Sequence, residues 1–318
     1  MTNRALVYRS FGPPEHHLKL EKTLLSDRPT GKLRVAMIQA PINPSDLIPV
    51  TGAYAHRVSL PAVAGYEGVG RVIDAPPDYS CWIGRRVLPL RGAGTWQTHV
   101  DSDPALAIPV PDRISDDVAA RAYINPLAAQ EMLRAVPVAG KRVLLCGAGS
   151  SCADLLGHLA RQEGAAEVIG IYRSEGRIER MRSLGVTPVS ANDEKEVIRH
   201  ARAADVTFDA LGGPLASRVL EAMAQGTRFV GYGLLSGESI SPAAVPRARY
   251  ERFHLRDRLQ RMDHASWKEA FESVWSLLAE VALPPACVHP LENWREAIHL
   301  GRKPGSAKQV LQFKMQAP

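Results

Sequence analysis

Nowhere in these 318 residues does an apolar run reach the ~18 that a membrane-spanning helix needs. The opening MTNRALVYRSFGPPEHH lacks the apolar core and small-residue cleavage site of a secretory signal, so none is read there. Cysteine is scarce: Cys81, Cys146, Cys152 and Cys287 are scattered, and no C-x-x-C occurs. That fits reduced thiols in a cytoplasm better than a disulfide framework. No internal repeat or low-complexity segment is found. The densest basic stretch, RARYERFHLRDRLQR (247–261), spreads its arginines off any single helical stripe. It lacks convincing interleaved aromatics or a known module, so neither a nucleic-acid site nor a membrane partner is expected.

What is present is ordinary globular material, 45% hydrophobic and 23% charged with a net charge of +6. The length suits two domains. Residues 1–115 carry short β-like runs cut by Pro and Gly, as in KLRVAMIQAPI (32–42), EGVGRVIDAPP (67–77) and GRRVLPLRG (84–92). Such runs suggest a barrel-like β domain. From about 116 the pattern becomes strand–helix–strand: KRVLLCGAG, SSCADLLGHLARQEGA, AEVIGIY, GRIERMRSLG, ADVTFDALGG and TRFVGYGLLSG. That alternation argues for an α/β doubly wound parallel sheet over 116–284. Residues 285–318, with one short helix and a final β run, are expected to complete the first domain.

Two features inside the α/β part carry chemistry. CGAGSSCA (146–153) follows a strand and opens a helix, the setting in which backbone N–H groups meet a pyrophosphate. Gly147 and Gly149 let the chain turn and approach closely, but the third glycine of G-x-G-x-x-G is replaced by Cys152. The second strand ends IYRSEGR, placing Tyr172, Arg173 and Ser174 where an NAD site usually has a carboxylate. A guanidinium binds a 2′-phosphate bidentately, so NADPH is the expected cofactor, with Glu175 as the dissenting charge.

Over almost its whole length the chain resembles the zinc-free branch of the medium-chain dehydrogenase/reductase superfamily. It is most similar there to the 2-enoyl thioester (trans-2-enoyl-CoA/ACP) reductases, with NADPH:quinone reductases as near neighbours. The matching stretches are INPSD (42–46), GAY (52–54), LPAVAGYEGVGRV (60–72), GTWQTHV (94–100), YINPLAAQEML (123–133), YGLLS (232–236), FHLRDRL (253–259) and AKQVL (307–311). The resemblance implies a GroES-like β-barrel-type domain beside a Rossmann domain, an active site in the cleft between them, and a homodimer.

It also implies roles. Asn43 and Asn125 lie beside the cofactor. Ser150, Ser151, Cys152 and Ala153 stand where the family has S-G-V-G. Arg173 and Ser174 match the start of an Arg-Asp-Arg phosphate clamp, with Arg177 standing in for its second arginine. Tyr232, Gly233, Leu234 and Leu235 match Y-G-G-M. Phe253, His254 and Leu255 match F-W-L with the tryptophan lost, and Lys308 matches a late cofactor-binding lysine. Zinc-dependent members carry Cys near position 45 and His before the glutamate at 67. Here stand Ser45 and Tyr66, so no metal is expected. Without that Lewis acid, reduction of an activated C=C bond is the accessible chemistry: hydride to the β carbon and a proton to the α carbon. Tyr54 matches the family's proposed proton donor, and is otherwise a loop tyrosine stacked on the cofactor or rim. The expected substrate is an enoyl thioester on CoA or an acyl carrier protein. A quinone or enone reductase, and a non-catalytic relative that binds NADPH or another protein, stay open.

Overall fold

The computed structural model describes residues 1–303 and 305–314. Two compact units form: Met1–Ile124 with Met262–Pro318, and Asn125–Arg261. In the first, a seven-stranded sheet is built around Leu33–Pro41, which pairs antiparallel with Val69–Asp74, His99–Ser102 and Lys308–Gln312. The last of these strands, Lys308–Gln312, joins the β domain. A three-stranded sheet, ordered Leu18–Leu24, Thr2–Tyr8, Ala62–Val63, lies in the same unit. Leu33, Val35, Met37, Trp96, Trp294 and Phe313 share one buried core. The Trp96 indole N–H is satisfied by the carbonyl of Pro41 at 3.1 Å, as a buried indole requires.

The domain boundaries differ from those expected. Residues 116–124 and 262–284 belong to the first unit rather than to the α/β part. Aromatic packing explains the difference. The helix His264–Glu280 buries Trp267 and Phe271. Their rings lie 5.8 and 6.3 Å from that of Tyr123, and the Trp267 indole donates to the carbonyl of Leu106 at 3.2 Å.

In the second unit every strand pair is parallel. The order across the sheet is Thr187–Ser190, Glu167–Tyr172, Arg142–Cys146, Val206–Asp209, Arg228–Gly231, Arg249–Arg252. Numbered along the chain, that is 3-2-1-4-5-6, the Rossmann order. Arg142–Cys146 and Val206–Asp209 are nearly all buried, which is why both read as apolar runs in sequence. Among the described residues no helix is long and apolar enough to cross a membrane.

One short helix of the first unit carries an electrostatic consequence. Pro44–Thr51 starts with a proline at its first position and stops at Gly52, whose φ of 90° is open to glycine at little cost. Its third residue, Asp46, is 2% exposed and accepts the backbone N–H groups of Asn43 at 2.7 Å and Tyr66 at 2.9 Å. Burial, with the nearby Glu67 charge adding to it, pushes the Asp46 carboxyl up to about 7. Folded Asp46 therefore holds its proton more tightly than unfolded Asp46. Its contribution to stability is fully present below the ordinary aspartate range of about 4 and is lost as pH rises through about 7. Thermal melts from about pH 5 to about pH 8 span that loss. They are expected to show a steeper fall in stability for the parent chain than for Asp46→Asn. Parallel curves for the two would contradict the assignment.

Candidate active site

The reversal of strand order between Arg142–Cys146 and Val206–Asp209 leaves a crevice at their carboxyl ends, where ligands of open α/β sheets bind. Gly147 turns the chain there with φ 80°. A Cβ at this position would lie 2.9 Å from the Leu211 side chain, so two strand ends meet at a backbone without a side chain. Ser150 then caps the helix Ser151–Gln162, its Oγ accepting the Ala153 N–H at 3.2 Å. The remaining N-terminal N–H groups and the helix dipole favour negative charge at this end of the helix.

The absent third glycine has an explanation. Cys152 and Ala153 are buried and small enough to pass. The close helix–sheet approach falls instead at Gly157, where a Cβ would come within 2.7 Å of Val186 Cγ2. Sequence reasoning missed this residue, although Gly157 lies one turn past the motif.

Several expected residues gather at this turn. The Cys152 thiol points to the carbonyl of Asn125 at 3.8 Å. Burial pushes the thiol up to about 12, leaving it neutral and inert. The Tyr232 hydroxyl interacts with Ser150 and Cys152, and burial holds that phenol well above its usual range. Gly233 passes so close to Ala210 that a Cβ would sit 2.5 Å from its carbonyl oxygen. Arg177 lies beside the phosphate turn, its Cγ 3.2 Å from where a Gly149 Cβ would stand.

Other expected residues are more peripheral. Tyr172 ends its strand half-buried and Arg173 is exposed just beyond it. Ser174 precedes the turn Glu175–Arg177. Leu234 and Leu235 are exposed. Phe253 is tied to Gly231 through a 2.9 Å backbone bond. His254 is exposed before the helix Leu255–Leu259.

The first unit holds the other candidates. Asn43 is buried, and its amide Nδ2 donates to Glu67 Oε1 at 2.7 Å. Lys308 is half-buried, and its ammonium donates to Asn43 Oδ1. The other Glu67 oxygen accepts the backbone N–H groups of Tyr123 at 3.0 Å and Ile124 at 2.9 Å. Burial raises the Glu67 carboxyl and lowers the Lys308 ammonium. Asp46 and Glu67 sit in INPSD and AGYEGVG, but the sequence carries no mark of their burial.

Tyr54 is half-buried past the end of the helix Pro44–Thr51, at the start of the turn Ala55–Arg57. The Arg57 guanidinium covers its ring 3.6 Å from the centroid, a cation–π contact. Sequence reasoning also missed Arg57, though its place three residues on in a turn is a readable signal. Among the described residues no group of three or more His, Cys, Asp or Glu is placed to hold a metal ion.

Comparison with known proteins agrees with this architecture. The alcohol dehydrogenase GroES-like domain family matches residues 29–112, and the zinc-binding dehydrogenase family matches 154–278. A mitochondrial enoyl-[acyl-carrier-protein] reductase of Homo sapiens is 28% identical over 97% of this chain and 88% of its own. The protein of the same name from Arabidopsis thaliana is 30% identical over 75% of this chain and 67% of its own. Among solved structures, a Bacillus thuringiensis protein assigned as an NADPH:quinone reductase superposes with a TM-score of 0.88. It is 30% identical, covering 98% of this chain and 99% of that one. Etr1p, solved with NADP and crotonyl-CoA, superposes at 0.83 with 17% identity over 98% of this chain and 100% of its own, a likeness of fold. With its Rossmann strand order, its GroES-like unit and these relatives, the chain belongs to the zinc-free branch of the medium-chain dehydrogenase/reductase superfamily, among the enoyl thioester and quinone reductases.

Proposed function

We propose that this chain is an NADPH-dependent oxidoreductase that reduces the C=C bond of an enoyl thioester carried on CoA or an acyl carrier protein. The observation that carries the reading is the match over 97% of this chain to relatives named enoyl-[acyl-carrier-protein] reductases. The residues of the crevice fit the cofactor: Gly147 presents bare backbone, the capped helix offers N–H donors, and Arg177 adds a cation beside the turn. Asn125, Gly149, Ser151, Arg173 and Tyr232 are the further residues we assign to the cofactor in this unit, and the family resemblance assigns Asn43 and Lys308 to it as well. When bound, NADPH supplies the hydride.

The chain's own task is at the α carbon. Hydride addition at the β carbon leaves an enolate on the thioester, and a proton must reach the α carbon to complete the reduction. Tyr54 delivers it from its phenolic O–H, and water then returns a proton to the tyrosine. Arg57 lies over the ring and stabilises the negative charge that the donor acquires. A second reading, reduction of a quinone or enone, is favoured by the 30% identity to the Bacillus thuringiensis protein. The four free thiols fit the reducing cytoplasm in which we place the protein. A homodimer belongs to the same proposal, because the edge strand Arg249–Arg252 pairs on one side alone among the described residues.

NADPH oxidation across crotonyl-CoA, longer enoyl-CoAs, an enoyl carrier protein, an enone and a quinone separates the two readings. The highest kcat/KM is expected on a thioester, and turnover confined to quinones overturns that choice. Tyr54→Phe keeps the ring under Arg57 and removes the O–H. Placed acid catalysis contributes ~10²–10⁴-fold, so kcat on the thioester should fall by that range with NADPH affinity unchanged. Unchanged kcat would move the proton source elsewhere.

Cofactor choice is tested separately. A charge-assisted contact to the 2′-phosphate is worth ~1.5–3 kcal/mol. NADPH should therefore bind at least about tenfold more tightly than NADH. Arg173→Ala and Arg177→Ala together should erase most of that ratio in a fluorescence titration. Equal affinities in the parent chain would remove the assignment.

A further inference from the structure

The amide of Asn43 sits between two partners that demand opposite ends of it. Glu67 Oε1 is an acceptor and takes the Nδ2 donor at 2.7 Å. The Lys308 ammonium is a donor and takes the Oδ1 acceptor. An amide can satisfy both in one orientation only. If it flips, two donors face each other on one side and two acceptors on the other, inside a buried cluster where an unmet polar group is costly.

Glu67 is itself fixed. Its second oxygen accepts the N–H groups of Tyr123 and Ile124, and its backbone carbonyl accepts the Thr95 hydroxyl at 2.8 Å. Asp46 fixes the backbone on either side, holding the N–H of Asn43 and that of Tyr66. The charged groups facing this cluster are Asp46, Glu67 and Lys308, with Arg121 close enough to act on Lys308. Two acids and one lysine share the site, with Asn43 joining Glu67 to Lys308.

We propose that Glu67 is a positioning residue, which orients the Asn43 amide and through it holds the Lys308 ammonium in place to receive the cofactor, while Asp46 fixes the backbone of Asn43. This deepens the reading of Asn43 and Lys308 as cofactor-binding and rests on it. Glu67 acts by leaving Asn43 a single acceptable orientation, so that Lys308 enters the binding event already ordered. Ordering a lysine beforehand removes the entropic cost that would otherwise fall on binding.

The test exploits the isosteric pairs Asn/Asp and Glu/Gln. Glu67→Gln alone places an amide against the Asn43 amide, and one of the two must turn a donor toward a donor. NADPH affinity should weaken about tenfold or more, as for the loss of a charge-assisted bond. Combining Glu67→Gln with Asn43→Asp restores the pattern in reverse. The new amide at position 67 would donate to the new carboxylate at position 43, and Lys308 would donate to that same carboxylate. The amide carbonyl at position 67 would still accept from Tyr123 and Ile124. The total charge of the cluster is unchanged. The reversed pair should therefore bind NADPH within about threefold of the parent (a difference under ~1 kcal/mol), with melting temperatures confirming that all variants fold.

A single variant with parental NADPH affinity, or a reversed pair no better than the single variant, overturns the proposal. If the single variant fails to fold, the reversed pair still decides, because recovery of both folding and NADPH affinity requires the orientation argument, whereas recovery of folding alone rejects it. Lys308→Ala separates the underlying reading. If it leaves NADPH affinity unchanged, the cofactor role of Lys308 falls and the positioning proposal with it. If it weakens binding while Glu67→Gln does not, the positioning proposal alone falls.

Discussion

A carboxylate taken out of water must be met by donors, or give up its charge. In the first unit that condition organises the loops around Glu67. Its two oxygens gather the side chain of Asn43 and the backbone of residues 123 and 124. Asp46 adds the backbone of Asn43 and Tyr66. Four stretches far apart in sequence, around positions 43–46, 66–67, 123–124 and 308, are thus brought to one point by the needs of two acids and one lysine. The hydrophobic core explains why the strands stack. The buried acids explain why the loops at that point take the paths they do.

In the second unit the organising feature is topological. Strands read outward in both directions from Arg142–Cys146, and the crevice opens where the direction changes. Asp209 closes the far side of it. Fully buried, it accepts the N–H groups of Leu211 at 3.1 Å and Gly212 at 2.8 Å, and burial pushes its carboxyl up to about 6. The backbone N–H of Tyr232 bonds to the Asp209 carbonyl at 2.8 Å, which leads the tyrosine toward Ser150. The turn after one strand and the turn after its neighbour are therefore parts of one construction.

Much of this is legible in the amino-acid sequence, for physical reasons. The strands Arg142–Cys146, Glu167–Tyr172 and Val206–Asp209 are covered on both faces and so are written as apolar runs. The phosphate turn carries Gly147 because its backbone turns left-handed there. The strand Arg249–Arg252 shows in the sequence as three charged residues around one tyrosine. It lies at a sheet edge and is mostly exposed, and Glu251 pairs with Arg228 at 3.0 Å, so no apolar alternation marks it. The domain boundary differs from the expected one because strand–helix alternation says nothing about which core a helix joins. Trp267 and Phe271 decide that by packing on Tyr123. The roles of Asp46 and Glu67 are hidden because burial of an acid is a property of the fold and leaves no local trace in the chain.

The transfer of close packing from position 152 to Gly157 separates two duties that a glycine in the phosphate motif ordinarily performs together. At Gly157 the helix lies so near its neighbours that a Cβ would come within 2.7 Å of Val186 and 3.2 Å of Leu145. The first turn of that helix is thereby released to vary within the small residues its burial allows. Natural or engineered changes among residues 151–153 can retune the surface offered to an anion while the helix keeps its seat, whereas a single methyl at 157 would displace the whole helix from the sheet. The tolerance of this loop should accordingly depart from its motif at the third glycine position alone, permissive at 152 and strict again at Gly157, while Gly147 stays strict.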